Sequence, residues 1–357
     1  MSLSPGSVCR VKWIDVYKAL LIILMVVGHS GTPIVAYIYM FHMPAFFMVS
    51  GYLFNDQNDT FHFLKKKTIS LLLPYIICNT IFISIYTIMN ALGLYNTLQN
   101  APYIAFDARL KSLLLDSSTP DLGGATWFIL VLFEVEVLYF FLNKLLHNVS
   151  WLKQLMIIAL YILGLYYAEH SIFLDYNFDL TLIALFYFYL GSCVKQRDIL
   201  PLLDKDRSVI VFCLLSFLFF GSFYYNNSTP MNWPTRVFGN AFMQNWSILS
   251  SQYLLYLLAK YISDSSPSRY LVYLGRNTYA TVAWHFVIFR LINGLFVTLN
   301  ILPSDAWKSL VPYHIISNNG GWIIISFVTI LSCSALSWVA SKTAISDYIV
   351  NARIMRA

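Results

Sequence analysis

The sequence predicts an all-α membrane protein of about ten transmembrane helices, with both termini in the cytoplasm. Three observations predict it. Of 357 residues, 58% are hydrophobic and only 11% are charged, against roughly 25% charged in soluble domains. The apolar residues gather into ten runs of the length a bilayer requires, about 20 residues each. Basic residues are distributed unequally between alternate loops.

The runs are 14–33, 36–54, 68–92, 125–143, 154–169, 178–194, 208–225, 240–261, 278–299 and 322–341. Their length and the lack of period-two alternation read as helices rather than barrel strands. With the N-terminus inside, 17 of the 23 Lys and Arg residues fall on the cytoplasmic side. Arg109, Lys111, Arg236 and Lys308 fall outside, and Lys18 and Arg290 lie within spans. That asymmetry is the positive-inside pattern. The net charge of +6 therefore reads as orientation in a lipid bilayer and not as a nucleic-acid footprint. Arg10, Lys12 and the apolar run after them imitate a signal peptide. Lys18 interrupts the run and no clear small-residue cleavage site follows, so an uncleaved first span is expected. Five scattered cysteines, with no C-x-x-C, predict no metal site. One transmembrane domain over 10–342 and a short cytoplasmic tail over 343–357 follow. The longest loop, 93–124, is external. Its amphipathic "YIAFDARLKSLLLDSS" reads equally as a cover for helix ends or a lid over an acceptor.

Ionisable residues at membrane depth are rare and face a cavity or a partner. Here they are Lys18, His29, His42, Glu134, Glu136, His285 and Arg290. In "DVYKALLIILMVVGHSG", Lys18 and His29 are eleven residues apart. That is about 20° beyond three full turns and about 16 Å of rise, so they share a face and cannot touch. Asp15 is placed to pair with Lys18. His29 near the end of span one and His42 in "FHMPAFFMVSGYLF" are expected to meet in the outer half of the membrane. Pro44 is expected to kink or widen span two, and Ser50-Gly51 to let helices approach closely. Lys65, Lys66 and Lys67 stand at the inner mouth of span three, as a phosphate site or as a positive-inside anchor. Glu134 and Glu136 point about 200° apart, and either could neutralise Arg290 or Lys18. For Arg290 a structural ion pair and a site role stand level.

Taken in order, "IDVYKALLIILMVVGHS", "FHMPAFFMVSGYLF", "FLKKKTISLLLPY", "ATWFILVLF" and "LGRNTYATVAWH" resemble the acyltransferase 3 family of integral membrane O-acyltransferases. The resemblance covers residues 10–342. It implies transfer of an acyl group, usually acetyl from acetyl-CoA, to a hydroxyl of a surface glycan or lipid-linked saccharide at a bacterial inner membrane. The family's arginine, ten residues before its histidine, is Lys18 here, and the histidine is His29. The family's arginine-rich motif at span three is Lys65–Lys67 here. Lysine keeps the charge but loses bidentate recognition of phosphate. The extracytoplasmic hydrolase-like domain that some members carry is not seen.

These readings combine into one expected mechanism. Cytoplasmic acetyl-CoA, a substrate rather than a resident cofactor, sets its phosphates at Lys65–Lys67 and Lys18. Its pantetheine arm runs along the span-one face toward His29. A neutral His29 acts as general base on an acceptor hydroxyl, with His42 as oxyanion stabiliser. Asp15, Glu134, Glu136, His285 and Arg290 support the site. An acetyl-histidine intermediate is the less favoured variant. The rival readings are a transporter or flippase of a glycan or small polar solute, and a polysaccharide polymerase. Neither depends on CoA, and a transporter leaves no covalent product.

Overall fold

The computed structural model describes residues 11–55, 59–203, 207–226, 231–265 and 268–352. Cys9, Arg10, Lys205, Arg353 and Arg356 lie outside them. Among these residues, eighteen α-helices follow in order. The first five are α1 (Lys12–His29), α2 (Val35–Tyr39), α3 (His42–Leu53), α4 (Thr60–Lys67) and α5 (Leu73–Ala91). Next come α6 (Tyr95–Leu98), α7 (Phe106–Asp116), α8 (Trp127–Leu145), α9 (Ser150–Glu169), α10 (Phe178–Gln196) and α11 (Leu200–Leu203). The last seven are α12 (Arg207–Asn226), α13 (Ala241–Ser263), α14 (Ser268–Arg276), α15 (Thr278–Thr298), α16 (His314–Ser317), α17 (Gly321–Ala340) and α18 (Ala344–Asn351).

Helix occupies each of the ten apolar runs, as a single helix or, in the second run, as two. Among the described residues, six helical stretches are long and apolar enough to cross a membrane: 60–91, 106–145, 150–169, 175–196, 278–298 and 321–340. Their lipid-compatible faces are plain in α9, where Trp151, Leu155, Ile158, Ile162 and Tyr166 are exposed. The other four runs differ for local reasons. α1 carries Lys12, Asp15 and Lys18. α13 carries a buried polar stripe of Gln244, Ser247, Ser251 and Gln252. α12 is a shorter apolar helix. The second run is not one helix but two.

That break corrects the expected kink at Pro44. Proline has no N–H and its ring clashes with the carbonyl four residues back, here at Met40. The chain breaks between α2 and α3 at Met40 and Phe41, and Pro44 sits in the first turn of α3, where its missing donor costs nothing. A five-residue π-helical segment, Thr68–Leu72, joins α4 to α5, and the Tyr348 hydroxyl from α18 donates to its Ile69 carbonyl at 2.7 Å.

α1 is the central helix, packed against α3, α13, α14, α15 and α17, while α10 packs on α3, α8 and α9. Glycines set the closest crossings. A Cβ on Gly51 of α3 would collide with the Phe188 carbonyl of α10, and one on Gly191 of α10 with the Met48 carbonyl of α3. This reciprocal contact is the close approach expected at Ser50-Gly51, and it packs α3 tightly against α10. Gly275 of α14 meets the Asp15 carbonyl of α1 in the same way.

Candidate active site

α1 delivers His29 as its last residue. The helix stops because Ser30 turns back, its N–H and hydroxyl both donating to the Val27 carbonyl at 3.1 and 2.8 Å. Gly31 follows at φ +81°, a conformation open to glycine. Ser326 of α17 donates to the Ser30 hydroxyl at 2.9 Å and pins the turn. The short return through α2 brings Tyr39 beside His29, ring centroids 6.0 Å apart, and the Tyr39 hydroxyl donates to the Gly28 carbonyl at 3.3 Å. His42 opens α3 immediately after the break. Its ring stacks on Tyr39 at 5.3 Å, and its Nδ1 lies 3.1 Å from the Ile38 carbonyl. A carbonyl only accepts, so that nitrogen carries the proton and Nε2 of the neutral ring keeps a lone pair.

His29, Tyr39 and His42 line one cavity of about 480 Å3. The sequence placed the two histidines together, and the structure does so through Tyr39. A third imidazole stands behind them. His285 of α15 is fully buried and stacks on His29 with centroids 5.2 Å apart. Its Nδ1 lies 2.9 Å from the Thr281 carbonyl, which fixes the same tautomer as in His42. His285 Nε2 and His29 Nδ1 are both buried without a hydrogen-bond partner. α14 and α15 break at Asn277, and His285 lies just past the second turn of α15, where it meets the end of α1.

Two loops wall the cavity. Thr119, Pro120 and Asp121 come from the loop before α8, so part of the 93–124 segment does face the site. The second loop, Met231–Thr235, was missed in the sequence. It is a tight turn closed by Asn232 and Val237, which exchange backbone hydrogen bonds at 2.8 and 2.9 Å. Arg236 anchors it with a bidentate grip on buried Asp179 of α10, at 2.8 and 3.1 Å, and reaches Asn177 at 3.0 Å. Trp233 of this loop is fully buried and stacks toward Trp127 at 6.5 Å. The available signal was Arg236 itself, one of the four basic residues that the charge distribution led us to expect outside, standing in "MNWPTR".

The remaining predicted residues are placed otherwise. Lys18 pairs with Asp15 at 4.0 Å, as expected, and Asp15 also accepts from Arg276 at 3.1 Å. Neither glutamate neutralises Arg290 or Lys18. Glu136 pairs with Lys67 at 2.5 Å, and Glu134 accepts from the Thr181 hydroxyl at 2.5 Å. Both can face the bundle because α8 is covered on different sides by the start of span three and by α10. Lys65 and Lys66 are exposed while Lys67 is drawn inward, so the trio is not one uniform cluster. Arg290 is buried and donates to the Tyr86 hydroxyl at 3.3 Å and the Lys308 carbonyl at 3.2 Å. Gln99, with its amide oriented by these neighbours, accepts from both Tyr86 and Arg290 and donates to Asp121 at 2.8 Å. Arg109 donates to the Tyr95 hydroxyl at 2.9 Å and lies over the Tyr86 ring. This network ties α5 and α15 to the loop that carries Asp121 into the cavity. Among the described residues, no group of three or more His, Cys, Asp or Glu side chains is placed to hold a metal ion.

The arrangement suits proton transfer from a polar group held in an aromatic-walled cavity. Imidazoles supply the basic nitrogens, and Trp127, Trp233, Tyr39 and Phe286 supply flat apolar surface. An all-α bundle with six membrane-length helices around such a centre defines a multi-pass membrane protein with an enzyme-like site. The model of the acyltransferase 3 family, described as an acyltransferase domain, matches residues 11–338, and the chain belongs to that family of membrane acyltransferases. No curated protein and no solved structure matches the chain.

Proposed function

We propose that the protein is an O-acetyltransferase that moves an acetyl group from cytoplasmic acetyl-CoA to a hydroxyl of a surface glycan or lipid-linked saccharide. It crosses a bacterial inner membrane ten times with both termini inside. The observation that carries the reading is the junction of His29, Tyr39 and His42 on one cavity, with His285 stacked behind, inside an acyltransferase 3 fold.

In this reading His29 takes the proton of the acceptor hydroxyl as that oxygen attacks the thioester carbonyl, and CoA leaves as the thiol. His42 holds its Nδ1 proton on the Ile38 carbonyl. In neutral form it can therefore accept only from a second hydroxyl of the acceptor, since the attacking hydroxyl gives its single proton to His29; as an oxyanion donor it must carry a second proton. The aromatic walls and Asp121 receive the acceptor. Lys18, Met25 and His29 lie along one face of α1, and Met25 also lines the cavity, which supports a donor arm laid along that face. Lys65 and Lys66, exposed, serve the CoA phosphates with Lys18. Lys67, already bound to Glu136, contributes less to them. A transporter would use the same intramembrane charges without a covalent product.

The test is acetyl-CoA turnover by purified protein with candidate glycans, with product mass as readout. A product heavier by one acetyl group, lost in His29→Ala, supports the reading. Solute movement across sealed vesicles without CoA consumption sinks it.

A further inference from the structure

A second cavity, of about 800 Å3, lies at the other end of α1. It is formed by α1, α3, α10, α12 and α13 and shares no lining residue with the His29 cavity. It lies on the Tyr17 side of α1, about 100° from the face that carries Lys18. Its wall is dominated by large apolar and aromatic side chains, among them Trp13, Met48, Phe212, Trp246 and Tyr256. Arg197, the C-cap of α10, is the one charged side chain among the described lining residues.

We propose that this cavity binds one anionic phospholipid, with hydrocarbon in the cavity and the phosphate at Arg197. Two observations favour a lipid over a soluble ligand. Phe212 both lines the cavity and is 54% exposed, on a helix whose Val211, Leu215 and Phe219 are exposed too, so the mouth faces the hydrocarbon side of the bundle. Charge sits at one end only: Arg197 in the lining, with exposed Lys12 beside Trp13 and exposed Arg207 at the start of α12, and Asp198 as the exposed counter-charge. An arginine at the end of an apolar slot matches a phosphate at the membrane interface, with the hydrocarbon below it. A soluble polyanion such as CoA would instead bring several negative charges to a single lining cation inside an apolar wall. The site stands apart from the acetyl-transfer centre and does not depend on that assignment.

Two free cysteines, Cys193 and Cys213, line this cavity, while Cys78 and Cys333 are buried elsewhere. The test is therefore the rate of N-ethylmaleimide alkylation at each cysteine, read by peptide mass, in delipidated protein. Dioleoyl phosphatidylglycerol, dioleoyl phosphatidylcholine, glycerophosphate or acetyl-CoA is added in separate arms. Native mass spectrometry counts retained lipid. The expected result is one retained phosphatidylglycerol and protection of Cys193 and Cys213 alone, at a concentration about fivefold below that needed for phosphatidylcholine, the scale of one interfacial cation. Arg197→Ala should erase the preference and Arg197→Lys should keep it, both with unchanged melting temperature. Equal protection by the two lipids, protection by glycerophosphate at the same concentration, protection by acetyl-CoA below the lipid concentration, or no protection at all overturns the proposal.

Discussion

The imidazole of His29 stacks on that of His285, with ring centroids 5.2 Å apart and planes 17° from parallel. Stacked rings cannot hydrogen-bond each other edge to edge, so the buried nitrogens His29 Nδ1 and His285 Nε2 face other directions. The pair joins the end of α1 to the third turn of α15. It puts two titratable rings beside a cavity that His42 closes from α3.

His29→Ala should leave the fold intact, because His29 is only partly buried and makes ring contacts rather than fold-critical hydrogen bonds. Loss of a positioned general base lowers the rate by roughly 10²–10⁴-fold. The measurement is acetyl transfer beside thermal unfolding of the detergent-solubilised protein. Wild-type turnover in the variant would remove His29 from the mechanism.

His285→Phe keeps a ring against His29 but removes both nitrogens. It should lower kcat and leave the KM for acetyl-CoA unchanged, since His285 does not line the cavity. If kcat holds and only the melting temperature falls, the ring is packing alone.

The three lysines should separate. Lys67→Met strands the buried Glu136 carboxylate and should lower stability by up to about 3 kcal/mol, less than for a fully buried pair because Lys67 is partly exposed. Glu136→Gln in the same chain should recover much of that loss. Lys65→Gln with Lys66→Gln should instead raise the acetyl-CoA KM with little change in melting temperature. Identical behaviour of all three positions would contradict the division drawn from their exposure.

Arg236→Met should release the Met231–Thr235 loop from Asp179 and leave that carboxylate buried without its partner. The acceptor KM should rise more than the acetyl-CoA KM. Arg236→Lys should rescue poorly, since a single ammonium cannot reproduce the bidentate contact. Limited proteolysis at 231–237 offers a second readout; a loop as resistant in Arg236→Met as in the wild type would show that the ion pair does not hold it.

Lys18→Arg should keep most activity and Lys18→Ala should weaken donor use. In sealed, oriented vesicles, acetyl-CoA on the cytoplasmic face should support transfer and acetyl-CoA outside should not. Equal use from both faces would end the proposed donor route.

Hydropathy, by itself, determined that this chain is an all-helical membrane protein, because a span must satisfy its own backbone inside lipid and so announces itself as a long apolar run. The order of motifs around His29, His42 and Lys65–Lys67 determined the family, and helical periodicity put Lys18 and His29 on one face. Those are local properties, readable one helix at a time. Which helices face each other was decided only in three dimensions. Glu136 meets Lys67 rather than Arg290 because α8 lies beside the start of span three. His285 meets His29 because α15 packs beside α1. Arg236 reaches Asp179 across 57 positions to build a cavity wall from a loop with no hydropathy signal. Pro44 marked span two as irregular and accounts for the break at Met40 and Phe41, but only packing, with Gly51 and Gly191 holding α3 against α10, turned His42 into the site. Contacts between segments far apart in the chain depend on complementary shape and charge across the bundle, and no single stretch of sequence carries that information.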